Sequence, residues 1–167
     1  MAIQDRIDAQ ILTALQAGGR TTMAEIGSQV GLSASAVTRR VERLEAEGVI
    51  RGYMALIAPA AVGLTVTAFV TVTLTRQAEV LIEAFEKAVV EFPEVAEVHL
   101  MAGTTDYLLR VITADLASYE RFLKRRLTRV PGVAHVQTAF SLSNLKLRPS
   151  LDLSHLEGGP GAAPPAS

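Results

Sequence analysis

Residues 22–48 read TMAEIGSQVGLSASAVTRRVERLEAEG, and this stretch decides the fold of the first part of the chain. Thr22 and Glu25 have the spacing of a capping box, which begins a short helix. Gly31 suits the left-handed backbone that ends a helix, and Ser33 is a favoured N-cap for the next one. This next helix carries an apolar stripe at helical spacing, formed by Val37, Val41 and Leu44. Two helices joined by a three-residue turn that contains Gly predict a helix-turn-helix.

The segments on either side of this stretch complete a small helical domain. Asp5 suits the N-cap of a helix that runs through Ala17, and the apolar stripe of this helix consists of Ile7, Ile11, Leu12 and Leu15. Residues 49–57 alternate loosely between apolar and polar side chains, which predicts a strand or a reduced wing. Pro59 and Gly63 then mark a linker.

From Leu64 onward the apolar period changes from helical spacing to two, which indicates a second domain. Strands are predicted over 64–75, 95–102, 107–113 and 133–145, with helices over 78–91 and from Asp115 onward. The inward-facing residues of these helices are predicted to be Leu81, Phe85, Ala88 and Val89 in the first, and Leu116, Tyr119, Leu123 and Leu127 in the second. The order βαββαβ predicts a ferredoxin-like fold, an antiparallel four-stranded sheet with two helices on one face. No further helices remain to cover the other face, so we expect a second copy of the chain to cover it.

The composition excludes several classes of protein. The chain of 167 residues has no Cys, which excludes disulfides and thiolate metal sites, and its three His are too widely spaced for a local zinc motif. Residues 52–75 carry no charge, but Pro59, Gly63 and the period of two predict a strand rather than a membrane span. No secretory signal is visible, so we expect a cytoplasmic protein that does not associate with membranes. The net charge of −1 leaves DNA binding open, because a local basic face is sufficient.

These patterns divide the chain into four parts. We expect a helix-turn-helix DNA-binding domain at 1–52, a strand and linker at 53–63, and a ferredoxin-like oligomerisation domain at 64–148, to which the family resemblance described next adds effector binding. Residues 149–167 are rich in Gly, Pro and Ala, a composition that predicts a disordered tail.

Short motifs from both domains together resemble one family of bacterial and archaeal transcription factors, the leucine-responsive regulatory protein/asparagine-operon regulator (Lrp/AsnC) family. The motifs are Asp8-x-x-Ile11-Leu12-x-x-Leu15, Gly31-Leu32-Ser33, Arg40-Val41-x-x-Leu44-Glu45, Gly103-x-x-Asp106-Tyr107 and Pro131-Gly132-Val133. The resemblance implies an α+β protein with a winged helix-turn-helix and a ferredoxin-like ligand-sensing domain. It also implies homodimers that assemble into tetramers or octamers, and regulation by a small amino acid.

The third predicted helix supplies the candidate contacts to double-stranded DNA. If its apolar stripe faces inward, Ser35 and Arg39 point outward, and Arg can read guanine with two hydrogen bonds. The full set of candidates is Ser33, Ser35, Thr38, Arg39, Arg40 and Arg43. A solvated surface without any ligand is the alternative for this face. Arg40 lies beside the buried stripe, so it is equally compatible with a structural ion pair.

The turn before the third predicted strand supplies the candidate effector site. Its N–H groups and hydroxyls suit a ligand carboxylate, and Asp106 suits an ammonium group. The candidates are Gly103, Thr104, Thr105, Asp106 and Tyr107. Gly and Asp also favour hairpin turns for backbone reasons alone, and Tyr107 suits packing in the sheet as well as closing a pocket.

Two other groups of residues have simpler interpretations. His99 is expected to line the sheet face that meets the partner, without a metal. A basic helix face, formed by Arg121, Lys124, Arg125, Arg126 and Arg129, is either solvated or touches wrapped DNA or a neighbouring dimer.

The predicted function is therefore sequence-specific transcriptional regulation that responds to a small amino acid, with no cofactor. One alternative is an architectural DNA-binding protein without an effector. The other is a ferredoxin-like enzyme, although no catalytic set of Ser, His and Asp and no phosphate-binding loop is recognisable in the sequence.

Overall fold

In a computed structural model of the chain, residues 5–75, 79–146 and 150–157 are described. The chain forms two compact units. The first comprises the residues up to Leu56 together with those from Lys146 onward, and the second runs from Ile57 to Leu145. The division falls within the predicted linker at 53–63. No helix in the described ranges is long and apolar enough to cross a membrane.

The first unit is built on three helices that begin where their caps predict. Helix α1 spans Arg6–Ala17, α2 spans Met23–Val30 and α3 spans Ala34–Ala46. Asp5, Thr22 and Ser33 accept hydrogen bonds from backbone N–H groups in the first turns of α1, α2 and α3, and Thr22 forms the predicted capping box with Glu25. Gly31 has φ of 73°, the left-handed conformation that the tight turn requires. The helix-turn-helix is confirmed, with Ile11, Ile26, Val37 and Val41 in its core.

The strand or reduced wing predicted over 49–57 does not form. After Gly48, with φ of 71°, the N–H groups of Val49 and Ile50 both donate to the carbonyl of Leu44, so the backbone folds back on the end of α3. Beyond it four large apolar side chains are more than half exposed, those of Tyr53, Met54, Leu56 and Ile57. A strand needs a neighbouring strand to pair with, and none of the described residues supplies one here.

The second unit contains a four-stranded antiparallel sheet with strand order β2-β3-β1-β4. Its strands are β1 at Val66–Leu74, β2 at Val95–Leu100, β3 at Tyr107–Thr113 and β4 at Val133–Phe140. Helix α4 spans Glu79–Val90 and α5 spans Leu116–Arg125, with Asp115 as the N-cap of α5. The ferredoxin-like βαββαβ arrangement is confirmed.

Both helices of this unit pack on one face of the sheet. Ala68, Val70 and Val72 of β1 are buried, as the period of two predicts, and Phe85 and Val89 of α4 pack against the same core. The prediction that Leu116 faces inward is wrong, because its side chain is 60% exposed. Phe122 fills the inward position of α5 instead, one turn beyond the buried Tyr119.

The prediction of disorder from Pro149 onward is wrong for residues 150–157. The backbone of Leu151 exchanges two hydrogen bonds with the side-chain amide of Gln16 on α1, at 2.7 and 3.2 Å, and a short helix α6 follows at Ser154–Glu157. That prediction rested mostly on the composition of residues 158–167. These residues and Pro149 lie outside the described part of the chain.

Candidate DNA-contact and effector sites

The outward face of α3 includes the exposed side chains of four polar residues. They are those of Ser35, Thr38, Arg39 and Glu42, opposite the buried Val37, Val41 and Leu44. Arg39 makes no hydrogen bond or ion pair with any residue in the described ranges, so its guanidinium is available to a ligand. The outward direction of Ser35 and Arg39 agrees with the prediction from the apolar stripe of α3. Contact of this face with DNA stays a prediction.

The polar residues at the start of α3 also support the helix itself. Ser33 accepts from the N–H of Ala36 at 3.2 Å, and its hydroxyl lies 3.1 Å from that of Ser35. The hydroxyl of Thr38 donates to the carbonyl of Ala34 at 2.9 Å. Each of these hydroxyls remains exposed and has further hydrogen-bonding capacity, so a structural role and contact with DNA are compatible.

Two arginines of α3 point toward α1 rather than outward. Arg40 lies 2.8 Å from carboxylate oxygens of both Asp5 and Asp8, and Arg43 lies 2.5 Å from the other oxygen of Asp8. The side chain of Asp8 is completely buried, whereas Arg40 and Arg43 are 27% and 24% exposed. The structure thus favours the ion-pair interpretation of Arg40. It also corrects the predicted direction of Arg43, whose guanidinium bonds to the carboxylate on α1.

Asp5, Asp8, Arg40 and Arg43 form a cluster, and the surroundings of three of its members, Asp5, Arg40 and Arg43, favour their charged forms. Burial opposes ionisation of Asp5, but hydrogen bonds from the Asp8 N–H and from Arg40 outweigh it, so the pKa of Asp5 is lowered. Hydrogen bonds to Asp8 raise the pKa of both Arg40 and Arg43. Sequence reasoning missed the role of Asp8, although a carboxylate between the apolar positions of α1 was a visible signal.

The predicted effector turn between β2 and β3 exposes several hydrogen-bond donors. Gly103 has φ of 152° and open space where a Cβ would stand. The N–H groups and hydroxyls of residues 103–105 make no hydrogen bond to the part of the chain that the structure describes. A ligand carboxylate can therefore approach this turn without displacing an existing contact.

Asp106 has a structural role in addition to any role in ligand binding. One carboxylate oxygen accepts from the N–H of Leu74 at 2.7 Å, where the pairing of β1 with β4 shifts register. The backbone of Asp106 bonds to Val72 and Met101. The second carboxylate oxygen remains for an ammonium group. Removing the whole side chain would leave the N–H of Leu74 without its acceptor.

Tyr107 packs in the core rather than lining the turn. Its side chain is 2% exposed, its ring lies 4.6 Å from that of Phe85, and its hydroxyl donates to Glu86 at 2.8 Å. Burial, followed by the hydrogen bond to Glu86, raises the pKa of Tyr107 to about 12. Of the two interpretations that the sequence left open, the geometry supports packing.

The sheet face that no helix covers is lined by alternate residues of all four strands. Phe69 is 41% exposed there, and its neighbours in the register are Arg110 on β3 and Ala139 on β4. His99 lies on the same face, 3.4 Å from Glu97, which also pairs with Arg110 at 2.7 Å. Within the described ranges no cluster of three His, Asp or Glu side chains could hold a metal ion.

Comparison with known proteins places both units in one family. Residues 5–45 match the AsnC-type helix-turn-helix domain, and residues 67–151 match the Lrp/AsnC ligand binding domain. The Bkd operon transcriptional regulator of Pseudomonas aeruginosa is 41% identical over 148 residues, which cover 89% of this chain and 97% of that protein. The leucine-responsive regulatory protein of Escherichia coli is 39% identical over 85% of this chain and 87% of its own length.

Solved structures agree with this assignment. A transcriptional regulator of Neisseria meningitidis in complex with L-methionine superposes with a TM-score of 0.87 at 37% identity, covering 92% of this chain and 99% of that one. An AsnC family transcriptional regulator of Agrobacterium tumefaciens superposes with a TM-score of 0.86 at 36% identity and the same coverage. With matching domains, relatives and structures along nearly its whole described length, the chain belongs to the Lrp/AsnC family of transcriptional regulators.

Proposed function

We propose that the protein regulates transcription in the cytoplasm by binding double-stranded DNA through the outward face of α3, with Arg39 as the main reader of base edges. The observation that carries this proposal is that the arginines of α3 differ in whether they are paired with acids. Arg40 and Arg43 are held by carboxylates of α1, whereas Arg39 is exposed without a partner among the described residues. Ser33, Ser35 and Thr38 are placed to contact phosphates beside it.

In this proposal Arg40 and Arg43, which are paired with Asp5 and Asp8, contribute to DNA binding indirectly. The cluster of Asp5, Asp8, Arg40 and Arg43 fixes the angle between α1 and α3, so α3 presents a rigid face to the major groove. A site whose supporting residues are locked loses less conformational entropy when it binds. We therefore assign Arg40 and Arg43 to positioning and leave Arg39 as the proposed base contact.

Replacement of Arg39 tests this proposal. Arg39→Ala should cost about 1–3 kcal/mol at the preferred DNA site and relax base preference there. Arg39→Lys keeps the charge but lacks the planar fork, so it should retain most non-specific affinity while losing discrimination. Selection of bound sequences from a random DNA library, followed by anisotropy titrations, measures both effects. Unchanged affinity and unchanged base preference in both variants would place the DNA contact elsewhere.

The same proposal includes a small amino acid as effector, bound at the turn of residues 103–106. A free amino acid carries a carboxylate and an ammonium group, and desolvating both requires a partner for each. The free donors of Gly103, Thr104 and Thr105 suit the carboxylate, and the second oxygen of Asp106 suits the ammonium. The relative from Neisseria meningitidis was solved with L-methionine, which supports an amino acid as the class of ligand.

We further propose that the regulator is a homodimer, assembling into tetramers or octamers, and that it is not an enzyme. The open sheet face with the half-exposed Phe69 supports the dimer, since a second copy would bury it. The buried Nε of Arg110, near this face, has no hydrogen-bond partner in the described part of the chain, and a partner subunit would supply an acceptor. A two-fold dimer would present two α3 helices about one DNA turn, or a multiple, apart.

A further inference from the structure

A cleft of about 460 Å³ opens in the second unit at the far end of β3 from the effector turn. It lies where Thr113 ends the strand and α5 begins. Its apolar lining includes Leu64, Pro93 and Phe122, and its charged lining consists of Glu94, Arg121, Arg125 and Arg126. Because β3 has seven residues at about 3.3 Å each, the cleft and the effector turn are roughly 20 Å apart.

The charged side chains that line this cleft carry a net positive charge. Arg126 donates to Glu94 at 3.0 Å, and this pair is neutral as a whole. Among the described residues, Arg121 donates to the hydroxyl of Ser118 at 2.8 Å and to no carboxylate. Arg125 makes no hydrogen bond or ion pair with any described residue. Two guanidinium groups without a carboxylate partner therefore border an apolar lining, and this combination suits an anion with an apolar part.

Nearby acids do not cancel this positive charge. Glu94 is the acid that lines the cleft, and Arg126 already occupies it. Asp115 and Glu120 both lie close enough to Arg121 to feel its charge, but Asp115 accepts from the N–H of Ser118 as the cap of α5, and Glu120 is paired with Lys124. An ammonium group in the cleft would meet two arginines and no free carboxylate. The site therefore disfavours a zwitterionic amino acid, unlike the turn at residues 103–106.

We propose that this cleft is a second ligand site, which takes a small carboxylate anion with an apolar body and no ammonium group. The carboxylate accepts from Arg125 and Arg121, and the hydroxyl of Ser118 is placed to donate to it. The apolar body lies against Leu64 and Pro93, which line the cleft and are exposed, so its transfer out of water is favourable. The regulator would then sense a carboxylic acid separately from an amino acid.

Matched ligands test this proposal on the full-length protein. 4-Methylpentanoate is leucine without its ammonium group, and acetate is the same carboxylate without the apolar chain. In ligand-observed NMR titrations, 4-methylpentanoate should bind saturably. Arg125→Gln should weaken its binding about tenfold, as expected for loss of a charge-assisted hydrogen bond. Arg129→Gln is the control, because it removes an equal charge from an exposed residue that does not line the cleft.

The outcomes separate the proposal from general attraction of anions. Loss of binding in the Arg125 variant, with parental binding in the Arg129 variant, supports the site. An equal loss in both variants, or no saturable binding to the parent, overturns it. So does Arg125-dependent binding of leucine or acetate as tight as that of 4-methylpentanoate. Failure of the proposed amino-acid effector would not affect this result, because Arg125 lies at the opposite end of β3.

Discussion

Asp8 is the residue on which the geometry of the DNA-binding unit most depends. Its carboxylate is fully buried and bonds to Arg40 and Arg43, so one acid fastens two turns of α3 to α1. A buried charge is costly to leave without its partners, and here both partners come from α3, the helix that we propose contacts DNA. The same acid thus links the packing of α1 to the orientation of Arg39.

Asp8→Asn should destabilise the protein by about 2 kcal/mol. The cost stays below that of a fully buried pair, typically 3–5 kcal/mol, because both arginines keep some contact with water. Chemical denaturation of the full-length chain measures this change. The control is Glu47→Gln, which breaks only the partly exposed pair with Arg43 and should cost less than about 0.5 kcal/mol. If the two variants unfolded at the same denaturant concentration, the cluster would not hold α1 and α3 together.

The helices of the first unit owe their boundaries to acidic and hydroxyl caps, and two of these caps titrate. The pKa of Asp5 is lowered despite partial burial, by hydrogen bonds from Asp8 and Arg40. The pKa of Glu25 is lowered by the backbone N–H and the hydroxyl of Thr22 in the capping box. A carboxylate whose pKa is lowered in the folded state stabilises that state at pH values above the ordinary pKa of the carboxylate. This contribution is lost as the pH falls through the pKa that the carboxylate has in the folded state.

The resistance of the protein to denaturant should therefore be nearly constant from pH 7 to about pH 5 and fall below about pH 4. Asn is as good an N-cap as Asp, and Gln replaces Glu in capping boxes, but neither titrates. The double variant with Asp5→Asn and Glu25→Gln should show a shallower loss in acid, followed by circular dichroism. An acid transition as steep as that of the parent would mean that these caps do not contribute to it.

Local sequence patterns predicted the helices and strands well, because N-cap residues and apolar periodicity both act within a few residues. Asp5, Thr22, Ser33 and Asp115 all cap helices as the sequence indicates. The strand expected over 49–57 failed, because strand formation needs a partner that a short window cannot reveal. Leu116 was predicted to face inward, but Phe122 is buried instead, because both fall near the apolar side of α5 and only packing against the sheet chooses between them.

The candidate sites were less predictable than the elements. Which side chains lie on α3 follows from the helix period, but the pairing of Arg40 and Arg43 with acids more than thirty residues away does not. The double role of Asp106 likewise depends on a contact with β1 that is distant in sequence. The cleft beside Arg125 requires residues from three separate segments, and the sequence showed only a basic helix face.

For the whole molecule, the open sheet face determines the expected assembly. Phe69→Asp places a charge in the middle of this face and should convert the dimer to monomer at micromolar concentration, because a buried unpaired charge is costly. Val80→Asp is the control, on an exposed position of α4 that is 75% accessible. Sedimentation velocity on the full-length proteins measures both. A Phe69 variant that sediments like the parent would place the dimer contact on another surface.

Our central proposal is that an amino acid bound at residues 103–106 changes DNA binding through α3, and an isotherm of DNA binding with and without an amino acid tests it most directly. The DNA is the sequence selected by the protein itself, and the twenty amino acids are added one at a time. At least one should shift the affinity of the parent by about 5–150-fold, the usual range of allosteric coupling. Asp106→Asn keeps an acceptor for Leu74 but lacks the charge that pairs with the ammonium, so it should bind DNA normally and lose this shift. Identical isotherms for the parent with every amino acid would contradict the account and favour an architectural DNA-binding protein.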